Sequence, residues 1–321
     1  MNVLVTGGAG YIGSHVSKML AASGHTPVVY DNLSFGHRWA VKWGPMVEGD
    51  MADRESLVAA MKQHKIEAVM HFAAFINVGE SMKLPGKYFR NNFSNAITLL
   101  DAMVEAQVRN IVFSSTAAVY GDPIEVPIPE THPKNPVNTY GDSKLFVERA
   151  LHWYGEIHGL RSMALRYFNA AGADPSGDIG EDHVPETHLI PLVIQAALGK
   201  RARIDVYGTD YPTPDGTAIR DYVHVNDLAD AHVRAVNYLQ AGGATTQLNL
   251  GTGTGHSVRE VIEQVRSTGG RPVPSQDCPR RAGDPPVLVA AAGKSLEVLG
   301  WKARHSSLAE IVETAWRWHN R

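Results

Sequence analysis

Between its first apolar run and its first amphipathic stretch, the chain reads Thr6-Gly7-Gly8-Ala9-Gly10-Tyr11-Ile12-Gly13. Residues 2–6 have the pattern of a buried strand, and the spacing of apolar side chains predicts a helix over 11–23. Glycines at such a junction permit a tight turn and let a pyrophosphate approach the backbone, while the helix N-terminus stabilises its negative charge. The stretch predicts a dinucleotide site with contacts from Gly7, Gly10, Tyr11, Ile12 and Gly13.

A carboxylate about 20 residues after such glycines can accept hydrogen bonds from ribose hydroxyls. Asp31 has this position, at the end of a second strand predicted over 26–30. Its negative charge would repel the 2'-phosphate of NADP, so the sequence favours NAD. Asp50 and Met51 follow the third strand, where we expect them to flank the adenine.

Two further strands are predicted to end at the ligand-binding edge of the sheet. The fourth strand ends in Phe72-Ala73-Ala74, where small residues would admit the cofactor, although close helix packing would also explain them. The fifth ends in Ser114-Ser115-Thr116, whose hydroxyls could bond a substrate oxygen or could merely cap a turn. Ligands of open parallel sheets bind beyond such carboxyl ends.

A tyrosine and a lysine one helical turn apart supply a candidate proton-transfer pair. Tyr140-Gly141-Asp142-Ser143-Lys144 begins a helix predicted to run to about His158, so the two side chains share a face. A phenol is a poor base until its pKa falls from roughly 10, and a nearby cation lowers that pKa. With Thr116, the pair predicts a base that removes a proton while NAD takes a hydride.

Strand and helix patterns alternate over the first 170 residues, which predicts an α/β fold with a doubly wound parallel sheet. We expect a Rossmann-type NAD-binding domain over 1–169 and a smaller α/β substrate-binding domain over 170–321. A strand near 247–250 is expected to return to the main sheet. Two later helices have predicted capping boxes, Ser257 with Glu260 and Ser307 with Glu310.

Composition describes an ordinary globular protein. The 321 residues are 44% hydrophobic and 20% charged, with a net charge of -3, which gives no reason to expect a nucleic acid or membrane partner. The single cysteine, Cys278, cannot form an internal disulfide. No stretch predicts a membrane span or a signal peptide, and we expect a cytoplasmic protein. The 15 histidines show no metal-ligand spacing, and His183, His188 and His224 do not suggest a site, so no metal is predicted.

Over nearly its full length the chain resembles the extended short-chain dehydrogenase/reductase family, and within it the enzymes that act on nucleotide sugars. The early motifs identify only the superfamily, and the last three, at 210–213, 220–225 and 280–284, are more specific because they belong to the nucleotide-sugar end. The resemblance rests on residues 6–13, 31–32, 49–50, 71–73, 78–81, 114–121, 140–144, 166–169, 210–213, 220–225 and 280–284.

The resemblance implies interconversion of UDP-glucose and UDP-galactose, by reversible oxidation at sugar C4 through a 4-keto intermediate with tightly bound NAD. Tyr140 would be the base, Lys144 would lower its pKa and hold the nicotinamide ribose, and Thr116 would align the 4-oxygen. It also implies a homodimer formed through the helices at about 85–106 and 140–158. Further cofactor contacts implied by the family motifs are Asn32, Asn92, Ser114 and Tyr167.

The same resemblance implies which residues bind the substrate. Two arginines can grip a pyrophosphate in a bidentate manner, and Arg220 and Arg281 match the family's phosphate ligands, with Asn169 nearby. Asp284 would bind the uridine ribose, and Tyr207 and Leu189 would line the uracil pocket. Surface ion pairing is the alternative for the arginines.

Departures from the family pattern leave alternatives open. Ile76 stands where some members carry a lysine beside the cofactor, so that contact is absent. Leu288 falls at the position that sets substrate size, and a leucine is intermediate, so UDP-GlcNAc and UDP-GalNAc stay open as substrates. A dehydratase would need an acidic pair where Ala117-Ala118 stands. A UDP-glucuronate 4-epimerase and a non-catalytic dinucleotide-sensing protein are the remaining alternatives.

Overall fold

The structure of the chain is a computed structural model that describes residues 1–281 and 284–321. Ala282 and Gly283 belong to the motif 280–284 that carried part of the resemblance, and they lie outside the described residues. Among the helices that the structure describes, none offers a membrane-spanning length of apolar residues.

Seven parallel strands form the central sheet, in the order β11-β6-β5-β4-β1-β2-β3, which confirms the predicted doubly wound parallel sheet. Smaller sheets pair β10 with β7, β13 with β8, and β12 and β14 with β9. The strands are β1 (Asn2–Thr6), β2 (Thr26–Asp31), β3 (Met46–Glu48), β4 (Ala68–His71), β5 (Asn110–Thr116), β6 (Arg161–Tyr167), β7 (Asn169–Ala171), β8 (Ile204–Tyr207), β9 (Ile219–Arg220), β10 (Tyr222–His224), β11 (Thr246–Leu250), β12 (His256–Ser257), β13 (Ser275–Cys278) and β14 (Val287–Leu288).

Helices cover both faces of the sheet. They are α1 (Tyr11–Ala22), α2 (Arg54–Gln63), α3 (Val78–Ser81), α4 (Pro85–Tyr88), α5 (Asn95–Glu105), α6 (Thr139–His158), α7 (Leu189–Ala197), α8 (Val225–Gln240), α9 (Val258–Gly269), α10 (Gly293–Leu299) and α11 (Leu308–His319). Two 3-10 turns, Arg38–Ala40 and Ala117–Val119, and a π-helical segment, Phe89–Ser94, complete the helical structure of the described residues.

Two apolar layers hold the helices to the sheet. Leu57 and Leu99 belong to the layer on one face, beneath α2 and α5, and both are fully buried. Val16 and Leu228 belong to the layer on the other face, beneath α1 and α8. β4 and β5 are buried along their whole length, as strands covered on both faces are, and each contains a short apolar run, 68–70 in β4 and 111–113 in β5.

Helix ends follow the sequence signals with two differences. α6 ends at Gly159, which has a left-handed φ of 70°, as its sequence predicts. The single helix predicted over 85–106 instead contains the π-helical segment between α4 and α5. The capping box at Ser257 is complete, but the one predicted at Ser307 is only half formed, because the Glu310 carboxylate bonds His305 at 2.7 Å instead.

The strand order reverses between β1 and β4, which run in parallel on either side of the switch point. In such sheets a crevice for ligands opens beyond the carboxyl ends of the strands at this point. The residues that follow β1, β2, β4 and β5 therefore face a common crevice. β11 closes the opposite edge by pairing with β6 from Thr246 to Leu250.

Candidate active site

The glycine-rich turn connects β1 to α1 at the switch point. Gly7 has a φ of +74°, and a Cβ there would lie 2.6 Å from a backbone nitrogen beyond β4. A Cβ on Gly13 would lie 2.3 Å from the Gly7 carbonyl oxygen, so the turn itself requires both glycines. Gly10 precedes α1 without a side-chain cap, and its Cβ would meet only that oxygen, at 3.3 Å. The first N–H groups of α1, on Tyr11 and Ile12, have no partner within the helix, which fits a pyrophosphate.

Asp31 lies at the end of β2 beside this turn. Its Oδ2 accepts a hydrogen bond from the Ala9 N–H at 3.0 Å, and its Oδ1 accepts one from the Leu33 N–H at 2.8 Å. Burial raises the pKa of Asp31, while these two bonds lower it by less. A carboxylate has about four acceptor sites, so two remain for ribose hydroxyls. Asp31 thus fits the ribose role and also fixes the turn, which the sequence did not indicate.

The other predicted cofactor contacts surround the same crevice. Asn32 donates from Nδ2 to Oδ2 of Asp50 at 2.9 Å, across the ends of β2 and β3. Met51 is buried in the apolar layer beneath α2. The segment 72–74 is half-buried at the end of β4. The structure therefore gathers these residues at one edge of the sheet.

The three predicted catalytic residues meet at the carboxyl end of β5. Thr116 is the last residue of that strand; its hydroxyl accepts a hydrogen bond from the Ala118 N–H at 3.1 Å and lies close enough to the Tyr140 phenol to lower the pKa of that phenol. Lys144 lies one turn further along α6, and its Nζ donates to the Ser114 carbonyl oxygen at 2.8 Å. The same ammonium lies 4.9 Å from the centre of the Phe113 ring. A hydroxyl, a phenol and an amine thus stand side by side in the crevice.

The pKa of Tyr140 is raised in the chain by itself. Burial raises the pKa of the phenol, and the nearby Thr116 hydroxyl lowers it by less. Burial also lowers the pKa of Lys144 to about 7, so its charge is only roughly half formed at neutral pH. Its hydrogen bond among the described residues goes to Ser114 rather than to the phenol. Lys144 is not among the groups that shift the pKa of Tyr140 in the chain by itself, so a lowering of that pKa by Lys144 stays a prediction.

Three predicted cofactor contacts form side-chain hydrogen bonds within the protein. The Ser114 and Tyr167 hydroxyls share a short hydrogen bond at the ends of β5 and β6. The Asn92 amide accepts from the Phe75 N–H at 2.8 Å and donates to the Phe75 carbonyl at 3.0 Å and to Ser143 Oγ at 3.1 Å. Asn92 thereby ties the loop after β4 to α6. Its direct contact with a cofactor stays a prediction.

Predicted substrate residues lie in the second half of the chain. Arg220, in β9, forms an ion pair with Asp284, and its side chain is only 13% exposed. The Arg281 guanidinium lies 4.0 Å from the centre of the Tyr207 ring. Arg281 and Asp284 also line a cavity of about 710 Å³ together with Tyr211. The sequence predicted that Arg220 binds the pyrophosphate of UDP and that Asp284 binds its ribose. In this structure the two side chains form an ion pair with each other.

The remaining predicted substrate residues lie in β14, β7 and α7. Leu288, in β14, lies beside Arg220 in the strand register and packs against an apolar cluster that contains Ala117. Asn169 donates from Nδ2 to the Asp221 carbonyl at 3.1 Å. Leu189 is the half-buried first residue of α7. Leu288 therefore lies close to the strand end that carries Thr116, as a residue that sets substrate size would.

A buried ion pair beneath this site was not predicted. Arg166 donates from Nε and Nη2 to the two carboxylate oxygens of Glu148, at 2.9 and 2.5 Å. The Ser115 hydroxyl donates to the same carboxylate at 2.6 Å, and Arg166 Nη1 donates to the Tyr120 hydroxyl at 2.9 Å. Glu148 lies four residues after Lys144 on α6, so the pair fixes that helix to β5 and β6. In the sequence, Tyr140, Lys144 and Glu148 follow one another at intervals of four residues, and this spacing could have indicated that Glu148 lies on the same face of the helix.

A cluster of carboxylates and imidazoles also escaped prediction. The ligand atoms of Glu181, His183, Glu186 and His188 all lie within 4.8 Å of one another. The spacing of the histidines does not indicate this cluster, because two of its four members are glutamates: Glu181 precedes His183, and Glu186 lies between the two histidines. The prediction that no metal binds was based on histidine spacing only and does not account for this group.

Comparisons with known proteins agree with this geometry. Residues 3–251 match the model of the NAD dependent epimerase/dehydratase family. The UDP-glucose 4-epimerase of Rhizobium meliloti is 54% identical over 100% of this chain and 97% of its own length. The crystal structure of UDP-glucose 4-epimerase from Brucella ovis in complex with NAD superposes with a TM-score of 0.97 at 51% identity, over 98% of this chain and 97% of that chain. The UDP-glucose 4-epimerase from Bifidobacterium longum in complex with NAD+ and UDP gives 0.93 at 37% identity, over 100% and 98%.

Proposed function

The chain belongs to the NAD dependent epimerase/dehydratase family, and we propose that it interconverts UDP-glucose and UDP-galactose by reversible oxidation at C4 of the sugar. This proposal rests on one observation: Thr116, Tyr140 and Lys144 lie together at the end of β5, in the crevice that the glycine-rich turn borders. The full-length similarity to UDP-glucose 4-epimerases supports it.

The residues around the turn fit NAD, because the uncapped start of α1 and the Asp31 carboxylate offer the donors and acceptors that a dinucleotide needs. When bound, NAD supplies the hydride acceptor that returns the hydride to the other face of the 4-keto sugar. Tyr140 accepts the proton from the sugar 4-hydroxyl and gives it back, while Thr116 holds the reacting oxygen. Lys144 holds the nicotinamide ribose.

Tyr140 needs a lower pKa than burial alone gives it. Bringing a phenol from roughly 10 to about 7 requires about 4 kcal/mol of preferential stabilisation of the phenolate. A charged Lys144 and a positively charged nicotinamide ring would act in the same direction. Because burial lowers the pKa of Lys144 and so weakens its charge, the nicotinamide ring would supply more of this stabilisation of the phenolate than the spacing of Tyr140 and Lys144 suggested.

For the substrate end, we assign Arg220 and Arg281 to the two negative charges of the UDP pyrophosphate, with Asn169 beside them. The ion pair between Arg220 and Asp284 keeps both side chains ordered, and UDP would separate it by giving the guanidinium a phosphate and the carboxylate a ribose. The uracil pocket would be lined by Tyr207 and Leu189.

The assembly and location of the protein form part of the same proposal. We assign residues 1–169 to NAD binding and 170–321 to UDP-sugar binding. The chain would form a homodimer through the helices at 85–106 and 140–158, since Trp153 and Ile157 of α6 expose 61% and 69% of their surfaces. We expect the dimer to work in the cytoplasm.

Replacement of the proposed base tests the mechanism. Tyr140→Phe should lower the rate of UDP-galactose conversion by about 10²–10⁴-fold or more, because the proton has no acceptor. The matched control is Tyr154→Phe on the same helix, which loses a hydroxyl bonded to Asp101 but lies outside the site. Nearly normal activity in Tyr140→Phe would overturn the role of Tyr140.

Substrate and cofactor are tested on the unaltered protein. Incubation with UDP-glucose, UDP-galactose, UDP-GlcNAc and UDP-glucuronate, with both 4-epimers measured by NMR, separates the proposed reaction from acceptance of acetylated or acidic sugars. The supernatant of the denatured protein should contain NAD(H) without supplementation. Loss of water from the sugar would instead indicate a dehydratase, although Ala117-Ala118 lacks the acids that this reaction needs. Absence of any turnover would favour a dinucleotide-sensing protein.

A further inference from the structure

Four side chains on the segment between β7 and α7 converge on one point. Nδ1 of His188 lies 2.5 Å from Oε1 of Glu181, and Nδ1 of His183 lies 3.2 Å from the same oxygen. Glu186 completes the group, with its oxygens 3.5 Å from His188 Nδ1 and 3.8 Å from His183 Nδ1. We propose that this Glu181/His183/Glu186/His188 cluster binds one Zn²⁺ ion.

The spacing of the ligand atoms fits the size of the ion. Zn²⁺ holds nitrogen and oxygen ligands at about 2.0–2.2 Å, so neighbouring ligands of a tetrahedral site lie roughly 3.4 Å apart. The four separations between imidazole nitrogens and carboxylate oxygens range from 2.5 to 3.8 Å and fall on both sides of that value. All four ligand atoms lie within 4.8 Å of one another, so small side-chain adjustments would complete the tetrahedron.

The donor set selects the metal. Two imidazole nitrogens with two carboxylate oxygens suit Zn²⁺ and its transition-metal neighbours. Mg²⁺ and Ca²⁺ prefer oxygen ligands alone and take six or more of them. The cluster offers four ligand atoms, half of them nitrogen, so it favours Zn²⁺ over the hard cations.

One atom of the cluster lacks a hydrogen-bond partner among the described residues. Nδ1 of His183 is buried, and although it lies near Glu181 it does not form a hydrogen bond of acceptable geometry. Buried nitrogen atoms without partners are rare in folded proteins, and metal binding is one explanation for such an atom. A metal at the centre of the cluster would engage this nitrogen directly.

The charges of the cluster fit a divalent cation. One Zn²⁺ ion bound to the neutral imidazoles of His183 and His188 would neutralise the Glu181 and Glu186 carboxylates.

The cluster lies between parts of the chain that are distant in sequence. The Glu181 carbonyl accepts a hydrogen bond from Trp318 of α11 at 2.8 Å. The His183 ring meets the edge of the Tyr11 ring, at the start of α1, with centroids 6.2 Å apart. His188 directly precedes Leu189, the first residue of α7. A bound ion would thus fasten this segment beside the start of α1.

Metal binding to the full-length protein tests the proposal without any sugar substrate. Chelator-treated protein is titrated with ZnCl₂ in competition with a chromophoric zinc chelator, and we expect one tightly bound Zn²⁺ per chain. His183→Asn should weaken binding at least about 100-fold, since even losing a group that only orients a ligand costs 10–100-fold. Glu186→Gln should weaken it as well. MgCl₂ at the same concentrations should not compete.

The matched control is His305→Asn, which removes an exposed histidine paired with Glu310 at 2.7 Å, far from the cluster in sequence. It should bind Zn²⁺ like the unaltered protein. A wild-type chain without stoichiometric Zn²⁺ would show that the cluster is an ion-pair network only. Equal binding by His183→Asn, Glu186→Gln and His305→Asn would equally overturn the proposal. Because wild-type stoichiometry is measured first, poor folding of a variant cannot leave the question undecided.

Discussion

Changing Glu148 to glutamine removes one charge from the pair that fixes α6 to the sheet. Glu148 and Arg166 have side chains only 6% and 1% exposed, and two nearly parallel hydrogen bonds join them. Glutamine keeps the size of the side chain and can still bond Ser115 and one guanidinium nitrogen. The main change is therefore an arginine charge that is left buried without a counter-charge.

The structure sets the size of the effect. Breaking a buried ion pair by removing one partner destabilises a protein by about 3–5 kcal/mol, whereas an exposed pair contributes about 0–1 kcal/mol. Water does not screen this pair, because both side chains are almost completely covered. For a chain of this length, roughly 2 °C per kcal/mol gives an expected loss of about 6–10 °C in the unfolding temperature.

Thermal unfolding followed by circular dichroism measures this loss, with urea unfolding as a second measure. Glu156→Gln is the matched control, because Glu156 is exposed on the same helix and the substitution is chemically identical. A decrease of about 1 °C or less in Glu148→Gln, similar to that of Glu156→Gln, would refute the reasoning. It would mean that the desolvation of the two charges already cancels their attraction.

Two further predictions concern substitutions in the candidate active site. Lys144→Met should stabilise the protein at pH 7 and below, because the folded pKa of about 7 lies under the reference value of 10.5. The gain in the free energy of unfolding, at most about 4–5 kcal/mol, should shrink as the pH rises from 7 to 10.5, because the unfolded chain also loses the proton near pH 10.5. Urea unfolding of both proteins across this pH range measures the gain. A difference that stays constant with pH would contradict a lowered pKa of Lys144. Leu288→Tyr should lower the rate with UDP-GlcNAc relative to UDP-glucose, because the larger ring lies in the apolar cluster beside the end of β5. Leu296→Tyr, at an exposed position, is the control, and an unchanged ratio in Leu288→Tyr would remove Leu288 from substrate selection.

Features that depend on neighbours in the sequence were predictable. The glycine-rich turn, the parallel strands and the helix that ends at Gly159 follow from turn geometry, hydrophobic periodicity and capping. The spacing of Tyr140 and Lys144 on one helical turn also requires only local structure. These local rules were sufficient to predict the central sheet and the crevice at its carboxyl edge.

Features that depend on distant contacts were not. The strands β9 and β14 have two residues each, too few to show any periodicity, and they pair only after the chain has folded. The ion pair between Arg220 and Asp284 joins residues 64 positions apart. The pKa values of Lys144 and Tyr140 depend on the burial of both side chains, which their spacing along the helix does not reveal.

The late arrival of β11 at the edge of the sheet has a consequence for synthesis of the protein. Its partner β6 ends at Tyr167, but Thr246, the first residue of β11, is translated about 80 residues later. At roughly 5–20 residues per second, β6 emerges from the ribosome with an unpaired edge for about 4–16 s. An exposed strand edge of this kind pairs readily with other nascent chains. Chaperone access to β6 during this interval should therefore raise the soluble yield of the protein.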